Sequence, residues 1–284
     1  MQNQMKNIKK HYCICWYMTY QCNLECSYCY AFKKKDNFDF DNFLAVGSEL
    51  IKQGVSKINL AGGEPFASKF LLNVVDEFHT KLNFSITTNG TVGSEEDLKF
   101  LKGKIDCLAV SVDTIDNELG RGLKGKTYNI DKMLDFITRA IEMNFELKIN
   151  TVVSKHNISY LNEIGDWLSK FNKQILWRLF QVTNNPNVQN NINDILVNDT
   201  DLEKTAKKLA AKYPLLTVKK VTSHELNHNY VIITPEGNIQ VPYLNSYKSI
   251  GNILNENMNE VLEKSENLFL KNQINNPQIN SLQV

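Results

Sequence analysis

Cys22, Cys26 and Cys29 fall within eight residues, in the run Cys22-Asn23-Leu24-Glu25-Cys26-Ser27-Tyr28-Cys29, directly after a strand-like segment. Three thiolates can hold three irons of a [4Fe–4S] cube and leave the fourth iron open. An open iron is a site for chemistry, whereas a fully ligated cluster mainly transfers electrons. Two other readings fit the same spacing. Positions i, i+4 and i+7 share a helix face, so the three could be core cysteines. A zinc site would need a fourth ligand from elsewhere. All six cysteines precede residue 108, which does not resemble a disulfide framework. Cys13, Cys15 and Cys107 lie in strand-like runs and read as small core residues.

These thiols need a scaffold, and the chain alternates strand-like with helix-like segments. Strands are predicted near 12–19, 57–61, 84–88, 107–112, 146–153 and 175–181. Helices are predicted near 39–54, 68–81, 94–102, 129–144, 158–171 and 200–212. Six β-then-α units imply an α/β fold with a parallel sheet. Six is too few to close an eight-strand barrel, so a partial (βα)6 barrel of TIM-like type is expected. An Asn-rich loop follows from Thr183 to about Asn198. Tyr230–Thr234 and Asn238–Val241, joined across Pro235-Glu236-Gly237, read as a hairpin. The expected division is a flexible N-terminus over 1–10, the barrel over 11–215, a C-terminal extension over 216–272 and a disordered tail over 273–284.

Alternate residues of a strand share a face. That groups Lys57, Asn59 and Ala61 opposite Ile58 and Leu60. Ser85, Thr87 and Asn89 oppose Phe84 and Ile86, and Ser111 and Asp113 oppose Leu108, Val110 and Val112. Glu146, Lys148 and Asn150 oppose Leu147 and Ile149, and Arg178 shares a face with Leu176 and Phe180. The apolar sets must meet the helices, so the polar sets point into the lumen. A buried parallel strand is normally apolar throughout, and unpaired buried cations cost several kcal/mol each. Lys57, Lys148 and Arg178 therefore suit an anionic ligand such as phosphate. The alternative is that they pair with Glu64, Glu146 or Asp113, or sit at wet strand ends. Catalytic groups of such folds lie at the C-terminal ends of the strands.

Composition narrows the class. A net charge of +1 over 284 residues gives no electrostatic case for nucleic acid or a membrane surface. Met1–Lys10 is polar and lacks a signal core, and no apolar run is long enough to span a bilayer. The expected location is cytoplasmic.

The cysteine spacing, with Tyr28 before the last cysteine, resembles the radical S-adenosylmethionine (SAM) superfamily. So does Ala61-Gly62-Gly63-Glu64-Pro65 after the second strand, which is similar to that superfamily's GGEP motif. The resemblance implies that Gly62, Gly63 and Glu64 bind the SAM methionine and that Tyr28 lies beside the adenine. It also places Ser111, and Arg121 of Gly120-Arg121-Gly122, among the ribose and carboxylate contacts. Over nearly its whole length the chain further resembles the viperin family. The matching stretches include Lys57-Ile58-Asn59, Asp113-Thr114-Ile115-Asp116, Lys148-Ile149-Asn150 and Trp177-Arg178-Leu179-Phe180-Gln181.

That second resemblance implies a nucleoside triphosphate substrate (CTP, or UTP or GTP) and a 3′-deoxy-3′,4′-didehydro product acting in phage defence. It implies an electron donor such as flavodoxin or ferredoxin, and an extension that covers the active site. Lys148, Asn150, Arg178, Lys57 and Asn59 would bind the nucleotide, together with Cys15 and Ala61. Arg178 stands where the family usually has Lys, Cys15 where Asn is common, and Ala61 where Ser is. Leu176 stands where mammalian relatives have Arg. Tyr230 matches a tyrosine that helps quench the substrate radical. The rival enzyme reading is a peptide or small-molecule maturase. Such enzymes carry auxiliary-cluster cysteines after the barrel, and this chain has Tyr243 where one is expected. A metal-stabilised binding module is the non-enzymatic alternative.

Overall fold

The computed structural model describes residues 13–31, 34–184, 188, 192–243 and 246–264. The expected flexible N-terminus over 1–10, the tail over 273–284 and part of the Asn-rich loop lie outside the described residues. Ten strands form one sheet in the order β10-β9-β8-β1-β2-β3-β4-β5-β6-β7. The barrel strands are β1 (Cys13–Tyr17), β2 (Lys57–Ala61), β3 (Asn83–Thr88), β4 (Cys107–Ser111), β5 (Leu147–Val153) and β6 (Ile175–Gln181). They pair in parallel in chain order. The two edges of the sheet are not joined, so the barrel is open.

Helices α1 (Phe40–Lys52), α2 (Leu71–Phe78), α3 (Glu95–Leu101), α4 (Asn117–Lys124), α5 (Ile130–Glu142) and α6 (Leu161–Leu168) fill the crossovers of the barrel. Their starts follow capping chemistry: Asp39 caps α1 in a box with Asn42, and Ser94 caps α3 with Asp97. The outer strand face supplies Trp16, Leu60, Ile86, Val110, Ile149 and Trp177, all fully buried against helix residues such as Phe43, Val74, Leu98 and Ile137. The inner face carries the polar set, as the alternation predicts.

Beyond β6 come α7 (Ile192–Ile195), α8 (Asp199–Lys212), β7 (Leu216–Val221), α9 (Ser223–Asn229), β8 (Tyr230–Ile233), β9 (Asn238–Tyr243) and β10 (Ser246–Asn252). Helices α4, α7 and α9 and strand β10 lie outside the predicted elements, and the sheet itself extends beyond the expectation. β7 continues the parallel sheet beside β6, and β8 pairs in parallel with β1. The hairpin across Pro235-Glu236-Gly237 is present, with β8 and β9 antiparallel. Its first arm is therefore a barrel-side strand that brings Tyr230 level with Cys13. Chain-distant pairing of this kind leaves no local signal.

Candidate active site

Loop 18–31 follows β1 and carries the three cysteines. Cys22, Cys26 and Cys29 are half-buried, and none of them is in a disulfide. The loop is held by backbone bonds: Glu25 N–H to Lys124 carbonyl at 3.0 Å, Ser27 N–H to Leu123 carbonyl at 3.0 Å and Cys29 N–H to Cys26 carbonyl at 3.2 Å. The Thr127 hydroxyl donates to the Asn23 carbonyl at 2.9 Å. None of the three cysteines lies in a helix, which removes the helix-face reading. A cube places each thiolate on a different iron, whereas zinc gathers its ligands around one ion. Among the described residues no three His, Cys, Asp or Glu side chains converge on one ion position. Three thiols on one loop are a donor set that a cube can use. Burial pushes the Cys26 thiol up to about 12, opposed chiefly by the Lys124 ammonium.

The Gly-Gly turn after β2 packs directly under this loop. Gly62 has φ 126°, a left-handed conformation that favours glycine. A Cβ on Gly63 would run into the Gln21 backbone, and one on Gly62 into the Thr19 carbonyl. Gly63 N–H donates to Thr19 carbonyl and Glu64 N–H to Gln21 carbonyl, each at 2.8 Å. The Gly63 and Glu64 N–H groups are thus taken up by the cysteine loop.

The Glu64 side chain is engaged by the protein itself. It is buried, and its carboxylate accepts from Thr88 Oγ1 at 2.6 Å, Asn89 N–H at 2.7 Å and Phe66 N–H at 3.2 Å. Burial pushes its pKa up, with the Asn89 N–H the main opposing pull. The side chain is a brace between β2 and β3, not an open contact for a ligand. Asn89 in turn donates to Asn23 Oδ1 at 2.9 Å, tying β3 to the cysteine loop.

Tyr28 is buried, and its hydroxyl donates to Asp113 Oδ2 at 2.7 Å. Asp113 also meets the Lys124 ammonium at 3.0 Å, with both side chains 2% exposed. Asp113 therefore pairs with Lys124 and not with the lumen cations. Ser111 ends β4 half-buried, and its carbonyl accepts from Lys124 Nζ at 2.7 Å. Arg121 is exposed on α4. Lys124, buried to 1% exposure, escaped the sequence reading because a lone lysine on an amphipathic helix looks like a surface residue.

The second cluster of functional groups lies in the lumen. Arg178 Nε donates to Asn150 Oδ1 at 3.0 Å, and the guanidinium stands 4.9 Å from the Phe180 ring centre. Asn59 accepts from Ser85 at 3.1 Å and Thr87 at 2.9 Å, and donates toward Cys15 Sγ at 3.6 Å. Ala61 is buried at the C-terminal end of β2. Lys148 shares the Asn150 face and is half-buried. Lys57 departs from expectation: it is exposed at the N-terminal edge of β2 rather than enclosed with the others.

Cys15 and Cys107 are buried, as the core reading expects, whereas Cys13 is half-buried. Cys15 belongs to a small lumen group with Tyr17, Tyr20, Ala61 and Ile232, packed against Cys13, Tyr230 and Tyr247. A hydrogen bond from Cys15 lowers the Cys13 thiol to about 7; burial opposes it, and the charges of Arg178 and Lys148 assist. Cys107 is buried, and burial raises its thiol against the pull of Lys148. Tyr230 is raised mainly by burial, with Cys13 adding to it, so its phenol keeps its proton.

The extension joins the two clusters. Tyr20 OH donates to Glu236 Oε2 at 2.5 Å, and Lys34 bonds Glu236 Oε1 at 2.9 Å. Burial pushes the Glu236 carboxyl up, but hydrogen bonds from Lys34 and Tyr20 outweigh it and leave it below its usual range. The Tyr30 and Tyr247 rings lie 6.3 Å apart, so β10 also touches the cysteine loop.

Comparison with known proteins follows the same geometry. A family model described as the radical SAM superfamily matches residues 16–168. An S-adenosylmethionine-dependent nucleotide dehydratase of Lacinutrix mariniflava is 29% identical over 231 residues, spanning 76% of this chain and 47% of that protein. A second, from Psychrobacter lutiphocae, is 30% identical over 210 residues, 64% of this chain and 68% of that one. A probable GTP 3′,8-cyclase of Methanococcus aeolicus is 32% identical over 166 residues, 54% of each chain. The chain thus spans about half the length of the Lacinutrix and Methanococcus relatives. Among solved structures, Streptococcus suis SuiB bound to S-adenosylmethionine superposes with TM-score 0.73 at 16% identity, over 89% of this chain and 65% of that one. Native anSMEcpe with bound AdoMet and a peptide gives 0.67 at 16% identity, over 88% and 80%. At such identity the likeness carries the fold alone.

Proposed function

Because the chain belongs to the radical SAM superfamily, whose members use a [4Fe–4S] cluster and SAM, we propose that it is a viperin-like nucleotide dehydratase. It converts a nucleoside triphosphate to the 3′-deoxy-3′,4′-didehydro analogue, which terminates RNA chains in phage defence. Cys22, Cys26 and Cys29 hold three irons, and the carbonyls of the Gly62-Gly63 turn receive the SAM ammonium. Tyr28, Ser111 and Arg121 complete the SAM site, while Glu64 braces it. When bound, cluster and SAM supply a 5′-deoxyadenosyl radical that takes the C4′ hydrogen. The 3′-hydroxyl then leaves with a proton as water, and one electron from a flavodoxin- or ferredoxin-like donor completes the balance.

The observation that carries this reading is the cationic lumen. Lys148 and Arg178 face a chamber whose thiol Cys13 they help to ionise. Arg178 is also braced by Asn150. Fixed cations remote from the reacting carbon hold the triphosphate and so orient the ribose. Cys15 and Asn59 line the chamber on the β1–β2 side. Tyr230, protonated and level with Cys13, would relay the donor's one electron to the substrate radical, give its phenol proton to the leaving 3′-hydroxyl, and be re-reduced by the donor. The nucleotide dehydratase names of the Lacinutrix and Psychrobacter relatives support the substrate class.

The deciding experiment is anaerobic. Reconstituted protein is given reductant, SAM and each of ATP, CTP, GTP and UTP separately, and 5′-deoxyadenosine and nucleotide masses are measured. One nucleotide should stimulate cleavage strongly and yield a product lighter by one water. A product of unchanged mass would mark ring closure instead, the reaction named for the cyclase relatives. Cleavage that no nucleotide stimulates would overturn the nucleotide reading in favour of a peptide or other small substrate.

A further inference from the structure

The cysteine loop rests on one buried ion pair, and its arrangement is polarised. Helix α4 ends directly against the loop. Its last carbonyls, those of Leu123 and Lys124, accept the Ser27 and Glu25 N–H groups. The next residue, Gly125, has φ 95°; a Cβ there would stand 3.1 Å from Glu25 Cβ and 3.2 Å from Glu25 N. The loop backbone is therefore pressed onto the negative end of a helix. That is an unfavourable place for a group of thiolates, because the helix dipole repels added negative charge at its C-terminus.

Lys124 answers this. Its ammonium is held by Ser111 carbonyl at 2.7 Å and Asp113 Oδ2 at 3.0 Å, and lies 5.1 Å from the Tyr128 ring centre. Asp113 is anchored on its far side by Val152 N–H, at 2.6 Å from Oδ1, and takes the Tyr28 hydroxyl at 2.7 Å. Both charges are thus fixed, and the loop touches the pair through Tyr28. Lys124 also meets the loop through its own carbonyl, which accepts from the Glu25 N–H beside Cys26. A buried charge at fixed orientation is poorly screened and acts on neighbouring redox groups continuously.

We propose that Lys124 is a positioning residue that sets the reduction potential of the cluster: with Asp113 and Tyr28 it clamps the cysteine loop, and its charge favours the reduced, more negative cluster. Reduction adds one electron to a group already bearing thiolates, so a nearby cation raises the potential and a nearby anion lowers it.

The test is an EPR-monitored redox titration of the SAM-free holoenzyme, with iron and sulfide counted per chain. Lys124→Met should shift the midpoint downward and Asp113→Asn should shift it upward. Lys126→Met, the same charge change on an exposed neighbour, should leave it in place. Opposite signs are a result that a purely structural role would not produce. Should either single variant fail to fold, Lys124→Met/Asp113→Asn leaves no uncompensated buried charge, and its midpoint should lie above that of Lys124→Met or below that of Asp113→Asn, whichever survives. A midpoint unchanged in the variants, or shifted the same way by both single substitutions, overturns the proposal.

Discussion

The cysteine loop and the lumen are built on opposite plans. Around the loop, polar groups are paired: Glu64 has three donors, Asp113 accepts from Tyr28, Lys124 and Val152, and the loop backbone is bonded to α4. In the lumen, Lys148, Arg178, Cys13 and Tyr230 crowd together with like-charged cations on one side and a titrating thiol on the other. A region whose groups satisfy one another holds its shape without a ligand. A region with surplus positive charge gains most when an anion enters. The comparison teaches that cofactor placement is preorganised here, while substrate placement depends on the substrate's own charge.

The contrast can be broken from the loop side first. Cys26→Ala should abolish 5′-deoxyadenosine formation outright, measured by chromatography of anaerobic reactions. Gly63→Ala drives a methyl into the Gln21 backbone and should cost about 3 kcal/mol, the upper end for overpacking, read by chemical denaturation. A small effect there would mean the loop is not rigid.

From the lumen side, Arg178→Leu removes a charge-assisted contact of roughly 1.5–3 kcal/mol. The nucleotide KM should rise roughly tenfold to a hundredfold, while SAM cleavage without nucleotide persists. Equal loss of both would erase the distinction between the two regions. Cys13 offers a pH-dependent check. Its thiol is lowered to about 7 from an ordinary value of 9.0. Its contribution to stability is therefore complete above the ordinary value and is lost as pH falls through about 7. Iodoacetamide labelling of Cys13, followed by peptide mapping, should rise with a midpoint near 7 and slow when triphosphate is present. Labelling no faster than that of buried Cys107 would count against a cationic lumen. The smallest effect is expected at the join: Tyr20→Phe deletes the bond to Glu236 and should cost about 1 kcal/mol in thermal or denaturant unfolding.

Much of this was legible beforehand. Two-residue alternation separated Leu147 and Ile149 from Lys148 and Asn150, because a strand has no other way to present a core face. The C-x3-C-x2-C run and Gly62-Gly63 were legible because their chemistry is local: ligand spacing and backbone freedom lie within a few residues. The buried bonding of Glu64 and the exposure of Lys57 were not legible, because a residue type does not tell whether its side chain is already bonded or lies at a wet edge.

The sequence by itself determined the periodicity, the thiols, the glycine turn and the cationic strand positions, all properties of neighbours along the chain. Tertiary structure alone decided that β8 lies beside β1, that Asp113 faces Lys124 and Tyr28 rather than the lumen, and that Cys13 meets Cys15, Arg178 and Lys148. Apart from Cys15, two positions from Cys13, those partners are 11 to 217 residues apart in numbering, from Asp113 to Lys124 and from Cys13 to Tyr230. Charge pairing and thiol ionisation depend on distances through space, and chain spacing does not specify them until the sheet has assembled.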